Sequence, residues 1–171
     1  MPAKRFLGLV SGRIKQLAAV VTSAGGANDG DLVALDAAGK LDASVLPAGF
    51  GQNSVSAVAS EALAAGDLIN LYNNAGVINA RKTDGTAEGK ECHGFVRAAV
   101  ANSASATVFT SGNILSGLSG LTPGARQYVA TTAGARTETP PAVAGNVVQM
   151  IGVAVSATSI AFEPEEPITV A

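Results

Sequence analysis

The sequence predicts a mainly β chain: an extended N-terminal arm over residues 1–50, then a compact β-barrel or β-sandwich domain over residues 51–171. Three observations carry that expectation. From residue 51 onward, short Val- and Ile-bearing runs recur between Gly, Pro and Asn turn residues, which is the spacing of strands in a sandwich or barrel. Before residue 51 the apolar pieces are separated by turns and joints, so that stretch cannot build a core of its own. No later segment sustains the 3.6-residue period of a long helix.

The arm begins with "RFLGLV-SG-RIKQLAAVV". Phe6, Val10, Ile14, Leu17 and Val21 could share one helical face, but Gly8, Ser11 and Gly12 each weaken a helix interior. Ser11-Gly12 reads better as a turn between two short extended segments. "SAGGANDGD" is a flexible joint. In "LVALDAAGKLDASVLP" the triplet Leu-Asp-Ala occurs twice around Ala38-Gly39-Lys40, and Pro47 closes the stretch. Asp36 can accept hydrogen bonds from the turn backbone, and Asp42 or Ser44 can cap a single helical turn. The product is a hook with outward Leu and Val side chains that must lie on something.

In the second region, "DLINLY" and "VINARK" flank Asn73-Asn74-Ala75-Gly76, residues that tolerate positive φ, and form a hairpin. "HGFVRAAV" and "SATVFTSG" are two more strands, and "SEALAAGDL" has room for one helical turn. "SGNILSGLSGLTPG" reads as a loop whose Leu115, Leu118 and Leu121 pack beneath it or against a neighbour. Pro123-Gly124 turns the chain into "ARQYVATT", and "AGAR" turns it again. "VVQMIGVAVSAT" is the strongest strand, and Pro164 and Pro167 end regular pairing after "SIAFEPE".

Hydrophobic residues make up 47% of the 171, charged residues 14% and aromatics 4%, with no Trp and 20 Gly. So few charges cannot cover an isolated globule, and some aliphatic surface is expected to meet another subunit or partner. The net charge of −2 gives no global field toward nucleic acid. Lys4, Arg5, Arg13 and Lys15 precede the first acid, Asp29, and read as solvated charge on a tail. No nucleic-acid or membrane partner is expected. Apolar runs fall short of the ~18 residues of a membrane span. Arg13 and Lys15 interrupt what would be a signal peptide's apolar stretch, so export is not expected.

Three stretches carry residue types that could support chemistry. "ECHGF" pairs the single cysteine, Cys92, with the single histidine, His93, but neighbours on a strand point to opposite faces and cannot act as a nucleophile pair. "TDGTAEGKE" carries Asp84, Glu88 and Glu91 without the ligand spacing of a calcium loop, and reads as a polar turn. The Gly-rich "SGNILSGLSGLTPG" lacks a phosphate loop's lysine and its strand-to-helix setting. No catalytic, cofactor or metal-binding residue is assigned.

Residues 23–51, "SAGGANDGDLVALDAAGKLDASVLPAGFG", are similar to the capsid-attaching arms of the decoration (cement) and head-fibre proteins of tailed bacteriophages. Residues 120–167, from "GLTPGARQYV" to "AFEPEEP", resemble a β-domain ending found on phage structural proteins, and "LYNNAGVINARKTDGTAEGKECHGFV" (residues 71–96) also fits that domain. The resemblance implies a structural, non-enzymatic virion protein on the outer capsid surface. It would be a homotrimer at three-fold or quasi-three-fold positions, with its arm laid over the major capsid protein. The arm residues that would make the attachment are Phe6, Leu9, Arg13, Ile14, Leu32, Leu35, Leu41 and Leu46. Cys92 stands where the resemblance leads one to expect a residue such as Ala, which implies packing rather than redox chemistry. Related modules occur on tail fibres, which makes a tail-fibre or adaptor component the second reading. A glycan-binding or hydrolytic protein is a distant third.

Overall fold

The computed structural model describes residues 5–46 and 53–171. Lys4 of the basic cluster and Pro47, which closes the Leu35–Pro47 stretch, lie outside them. The chain divides into two units, Met1–Gly51 and Gln52–Ala171.

In the first unit, β1 (Arg5–Val10) and β2 (Arg13–Ala18) form an antiparallel hairpin, with Leu9 opposite Ile14 and Val10 opposite Arg13. Ser11 and Gly12 both take positive φ (52° and 75°), so two residues reverse the chain. That is a primed turn, whose twist matches the strands it joins. The extended reading of this segment therefore prevails over the helical one. Downstream, Val20 bridges Val33 in parallel and the Ala34 amide donates to the Val20 carbonyl (2.7 Å). Ala34 is the buried hydrophobic residue of this unit among those described.

The second unit contains a closed five-stranded barrel, in order β3 (Ser54–Ala59), β5 (Val77–Lys82), β4 (Leu68–Asn74), β6 (Gly94–Phe95) and β7 (Ser105–Phe109). The β4–β5 hairpin turns on Ala75 and Gly76, both at positive φ, and the Gly76 amide donates to Asn73 Oδ1 (2.8 Å). A five-stranded barrel is narrow, so its interior needs small side chains. Ala57, Ala59, Ala80 and Ala106 are buried there with Leu63, Ile69, Val96 and Val108. Closure depends on Gly94, where a Cβ would sit 2.5 Å from Val108 Cγ1 and 2.6 Å from the Phe109 carbonyl oxygen. Two expectations are corrected here. Only Gly94–Phe95 of "HGFVRAAV" pairs as a strand, and residues 60–66 carry no helical turn; Leu63 bridges Val100 instead.

A five-stranded sheet completes this unit. Its order is β10 (Arg136–Thr137), β9 (Arg126–Val129), β12 (Met150–Ser156), β13 (Ser159–Phe162) and β8 (Asn113–Ser116). A short pair, β11 (Val147–Val148) with β14 (Ile168–Thr169), lies apart from it in pairing. The stretch read as a Gly-rich loop thus contributes an edge strand, β8. Its leucines do pack inward: Leu115 and Leu121 are buried, with Leu118 against them. Barrel and sheet share one core, because Leu68, Cys92 and Phe95 join Leu115, Val129, Ile151, Ile160 and Phe162. Phe95 stands at its centre, edge-on to Phe162 (5.0 Å) and stacked on Phe109 (5.7 Å).

Candidate functional site

The β1–β2 register sorts the arm's side chains into two faces. Leu7, Leu9 and Ile14 share one, together with Arg5 and Gln16, and the Arg5 guanidinium donates to Gln16 Oε1 (3.0 Å). Leu7, Leu9 and Ile14 are 73%, 74% and 76% exposed. Phe6, Val10, Arg13, Lys15 and Leu17 lie on the other face, where Phe6 opposes Leu17 and both are half-buried. Gly8 sits under that pair: a Cβ there would fall 2.8 Å from Leu17 Cδ1.

Among the eight arm residues proposed for attachment, the hairpin joins Leu9 and Ile14 directly and sends Phe6 and Arg13 to the opposite face. Leu32, Leu35, Leu41 and Leu46 are all exposed, further along the chain. Leu7 was missed. Once Leu9 is placed on a strand, the two-residue period puts Leu7 beside it, and that signal was available in "RFLGLV".

The described part of the Leu35–Pro47 stretch, residues 35–46, is built as its residue types require. Asp36 Oδ1 accepts from the amides of Ala38 and Lys40 (both 2.8 Å), and the Asp36 amide donates to the Lys40 carbonyl (2.8 Å). Asp42 then caps the 3-10 turn Ala43–Val45 by accepting from the Ser44 amide (2.9 Å). The Ser44 hydroxyl, and after it the Ser44 amide, holds the Asp42 carboxyl below its usual range. The Ser44 hydroxyl accepts from the Ser23 amide (2.8 Å), tying the hook to the preceding joint. The repeated Leu-Asp-Ala is thus two Asp-closed turns in series.

In the second unit, Cys92 and His93 lie just before β6, outside any strand, and have different surroundings. Cys92 is buried, its Sγ donates to the Gly94 carbonyl (3.4 Å), and burial pushes its thiol up to about 12. A thiol held protonated is no nucleophile. His93 is exposed, and its Nδ1 accepts from the Leu71 amide (3.0 Å), which leaves the neutral ring's proton on Nε2. Both residues line a cleft of about 420 Å³ with Glu91, Thr110, Glu165 and Glu166. Among the described residues, no three His, Cys, Asp or Glu side chains converge as a metal site.

The loop from Thr83 to Glu91 is anchored by Arg81. Its Nε donates to Asn70 Oδ1 (2.9 Å), its Nη2 donates to the Gly89 carbonyl (2.6 Å), and its guanidinium lies over the Tyr72 ring at 4.4 Å. Asn70 in turn donates to the Glu91 carbonyl (2.8 Å). The Gly89 amide donates to the Glu91 carboxylate (2.6 Å), which chiefly holds that carboxyl below its usual range; partial burial opposes the shift, and His93 and Arg81 add to it. Asp84 closes its own turn by accepting from the Thr86 amide and hydroxyl (3.0 and 2.7 Å) and pairs with Lys90 (3.7 Å), whereas Glu88 accepts from the Thr169 hydroxyl near the other end of the unit. No protein-family model, curated protein or solved structure matches the chain.

Proposed function

We propose that the chain is a structural virion protein of a tailed bacteriophage, attached to the major capsid protein through its first fifty residues and stabilising the assembled shell. The observation that carries this reading is the β1–β2 hairpin. A two-stranded ribbon is marginal in water unless an apolar face is covered. Here Leu7, Leu9 and Ile14 form such a face and are about three-quarters exposed. Full burial of each would contribute ~1.5–3 kcal/mol, less the cost of ordering the segment. The hook adds Leu32, Leu35, Leu41 and Leu46 on the same principle.

Display as a homotrimer at three-fold or quasi-three-fold positions is part of the proposal. Its support is aliphatic exposure on neighbouring strands of the barrel, where Val58 of β3 and Val77 and Ile78 of β5 face solvent. A closed ring buries such a patch once per subunit, and three linked arms multiply weak attachment.

The test is co-sedimentation of the full chain with expanded capsids of the parent virus. Leu9→Asp with Ile14→Asp should weaken binding at least ~100-fold, since two apolar anchors of ~1.5 kcal/mol or more each are lost. Lys15→Ala, on the opposite face, should change it less than about threefold. Equal saturation by the double variant and the natural chain would end the attachment reading. A monodisperse monomer at micromolar concentration would end the trimeric one.

A further inference from the structure

The edge strand β10 and the turn before it border a hollow of about 400 Å³, lined by Thr131, Thr132, Arg136, Thr137 and Thr139 among others. Two arginines of this unit, Arg81 and Arg136, are partly buried. Arg81 bonds through Nε and Nη2 and lies over the Tyr72 ring. The Arg136 guanidinium makes no hydrogen bond and no ion pair among the described residues, and burial alone acts on its charge. A partly desolvated charge with no partner is costly, and a counter-charge from outside the chain would offset that cost. Nε is the covered, unbonded atom of the group, so the terminal Nη1 and Nη2 keep accessible surface. An incoming oxyanion can therefore be met end-on by the two terminal nitrogens, in the paired geometry that suits a guanidinium.

The rest of the lining has donors to spare and few acceptors. The carbonyls of Ala130, Thr132, Ala135 and Thr139 already accept, from the Gly85 amide (3.0 Å), the Ala135 amide (3.0 Å), the Ala130 amide (3.1 Å) and the Thr137 hydroxyl (3.0 Å). The amides and hydroxyls of Thr131 and Thr132, both exposed at the turn, bond to no group among the described residues. No Asp or Glu lines the hollow. Glu138, the nearest acid along the chain, accepts from the Thr122 amide (2.7 Å) and Gln127 Nε2 (3.1 Å) and forms no ion pair with Arg136. One cation, surplus donors and no carboxylate select an anion with several acceptor oxygens. A carboxylate has two oxygens, which the arginine fork alone would occupy, whereas a phosphate has more to offer the threonines. The volume is within the ~300–1,000 Å³ of ligand sites.

We propose that this hollow binds a phosphate group, with Nη1 and Nη2 of Arg136 donating to two of its oxygens and the Thr131 and Thr132 groups donating to the others. A single guanidinium in a site open to solvent gives weak binding, in the millimolar range. The inference is independent of the attachment reading, since it uses no residue of the first fifty.

The test is an NMR titration of the full chain with inorganic phosphate and with glycerol 3-phosphate, at ionic strength held constant with chloride. The Arg136 Nε–H and the Thr131 and Thr132 amides are followed. At least one of the two phosphates should shift all three resonances saturably, and the tighter of them separates a free ion from a phosphate ester. Arg136→Gln should weaken that binding about tenfold or more, whereas Arg126→Gln, on β9 and outside the lining, should leave it unchanged. Folding of each variant is read from the same spectra. Absence of a saturable shift with both phosphates overturns the proposal, as does an equal loss in Arg126→Gln, which would make the effect one of general charge. Acetate binding as tightly as phosphate overturns it in favour of a carboxylate site.

Discussion

Gln149→Ala should loosen the seam between the barrel and the C-terminal segment, and the protein carries its own reporter of that event. Gln149 is buried and makes three side-chain hydrogen bonds across the seam. Its Oε1 accepts from the Cys92 amide (2.6 Å), and its Nε2 donates to the carbonyls of Cys92 (3.1 Å) and Glu165 (2.9 Å). The side chain thereby replaces a rung of backbone ladder where no strand pairs. Each bond contributes ~1 kcal/mol net, so their loss should make local opening easier by about 3 kcal/mol. Cys92 is the only cysteine and is buried, with its thiol pushed up to about 12, so it reacts with a disulfide reagent only when the seam opens. At 1.4 kcal/mol per tenfold, labelling of the folded Gln149→Ala chain should be about 100-fold faster than in the natural chain. Gln149→Glu gives a second readout. A carboxylate there would face two carbonyls, so the folded state favours the protonated acid and raises its pKa above the unfolded value. That variant should be most stable below the unfolded pKa and lose stability as pH rises through the folded one. A labelling rate within twofold of the natural chain in Gln149→Ala would refute this account of the seam.

Two further outcomes follow from the packing around Gly152 and Glu91. Gly152 sits at a register shift between β12 and β9, at φ 138°, where a Cβ would lie 1.9 Å from the Ala161 carbonyl oxygen. Gly152→Ala should therefore cost ~2–5 kcal/mol in urea unfolding, and a loss under about 1 kcal/mol would show that the β12–β13 pair can spread to admit a methyl group. Glu91 is held below its usual carboxyl range, so its contribution is present above the unfolded pKa of about 4.3 and disappears as pH falls through the folded value. Because the group is only partly buried and still reached by solvent, screening limits the effect to roughly 0.5 kcal/mol. Glu91→Gln should flatten the acid limb of the stability–pH curve by that amount, and an unchanged limb would count against the turn-closing role.

Local chemistry was enough to determine the elements whose forces are local. Ser11-Gly12 and Ala75-Gly76 turn their hairpins because few residues tolerate successive positive φ. Asp36 and Asp42 close their turns because a carboxylate two residues ahead of an amide can reach it. That Leu115, Leu118 and Leu121 would be covered followed from their apolarity, and the fold chose inward packing over a neighbour's surface. Strand partners did not follow, because pairing is decided by contacts distant in sequence. β8 hides in a Gly-rich stretch that reads as loop until β13 lies beside it, and "VRAAV" has a strand's composition but pairs only through the Leu63–Val100 bridge. The choice of barrel over sandwich turned on Gly94, whose missing side chain lets β6 approach β7, a fact visible only once Val108 is in place. The same holds for the arm face put forward as functional. The two-residue period could place Leu7 beside Leu9, but Ile14 joins them only through the hairpin register. Conformational preference acts over a few residues and can be read along the chain; desolvation and register are properties of the assembled fold.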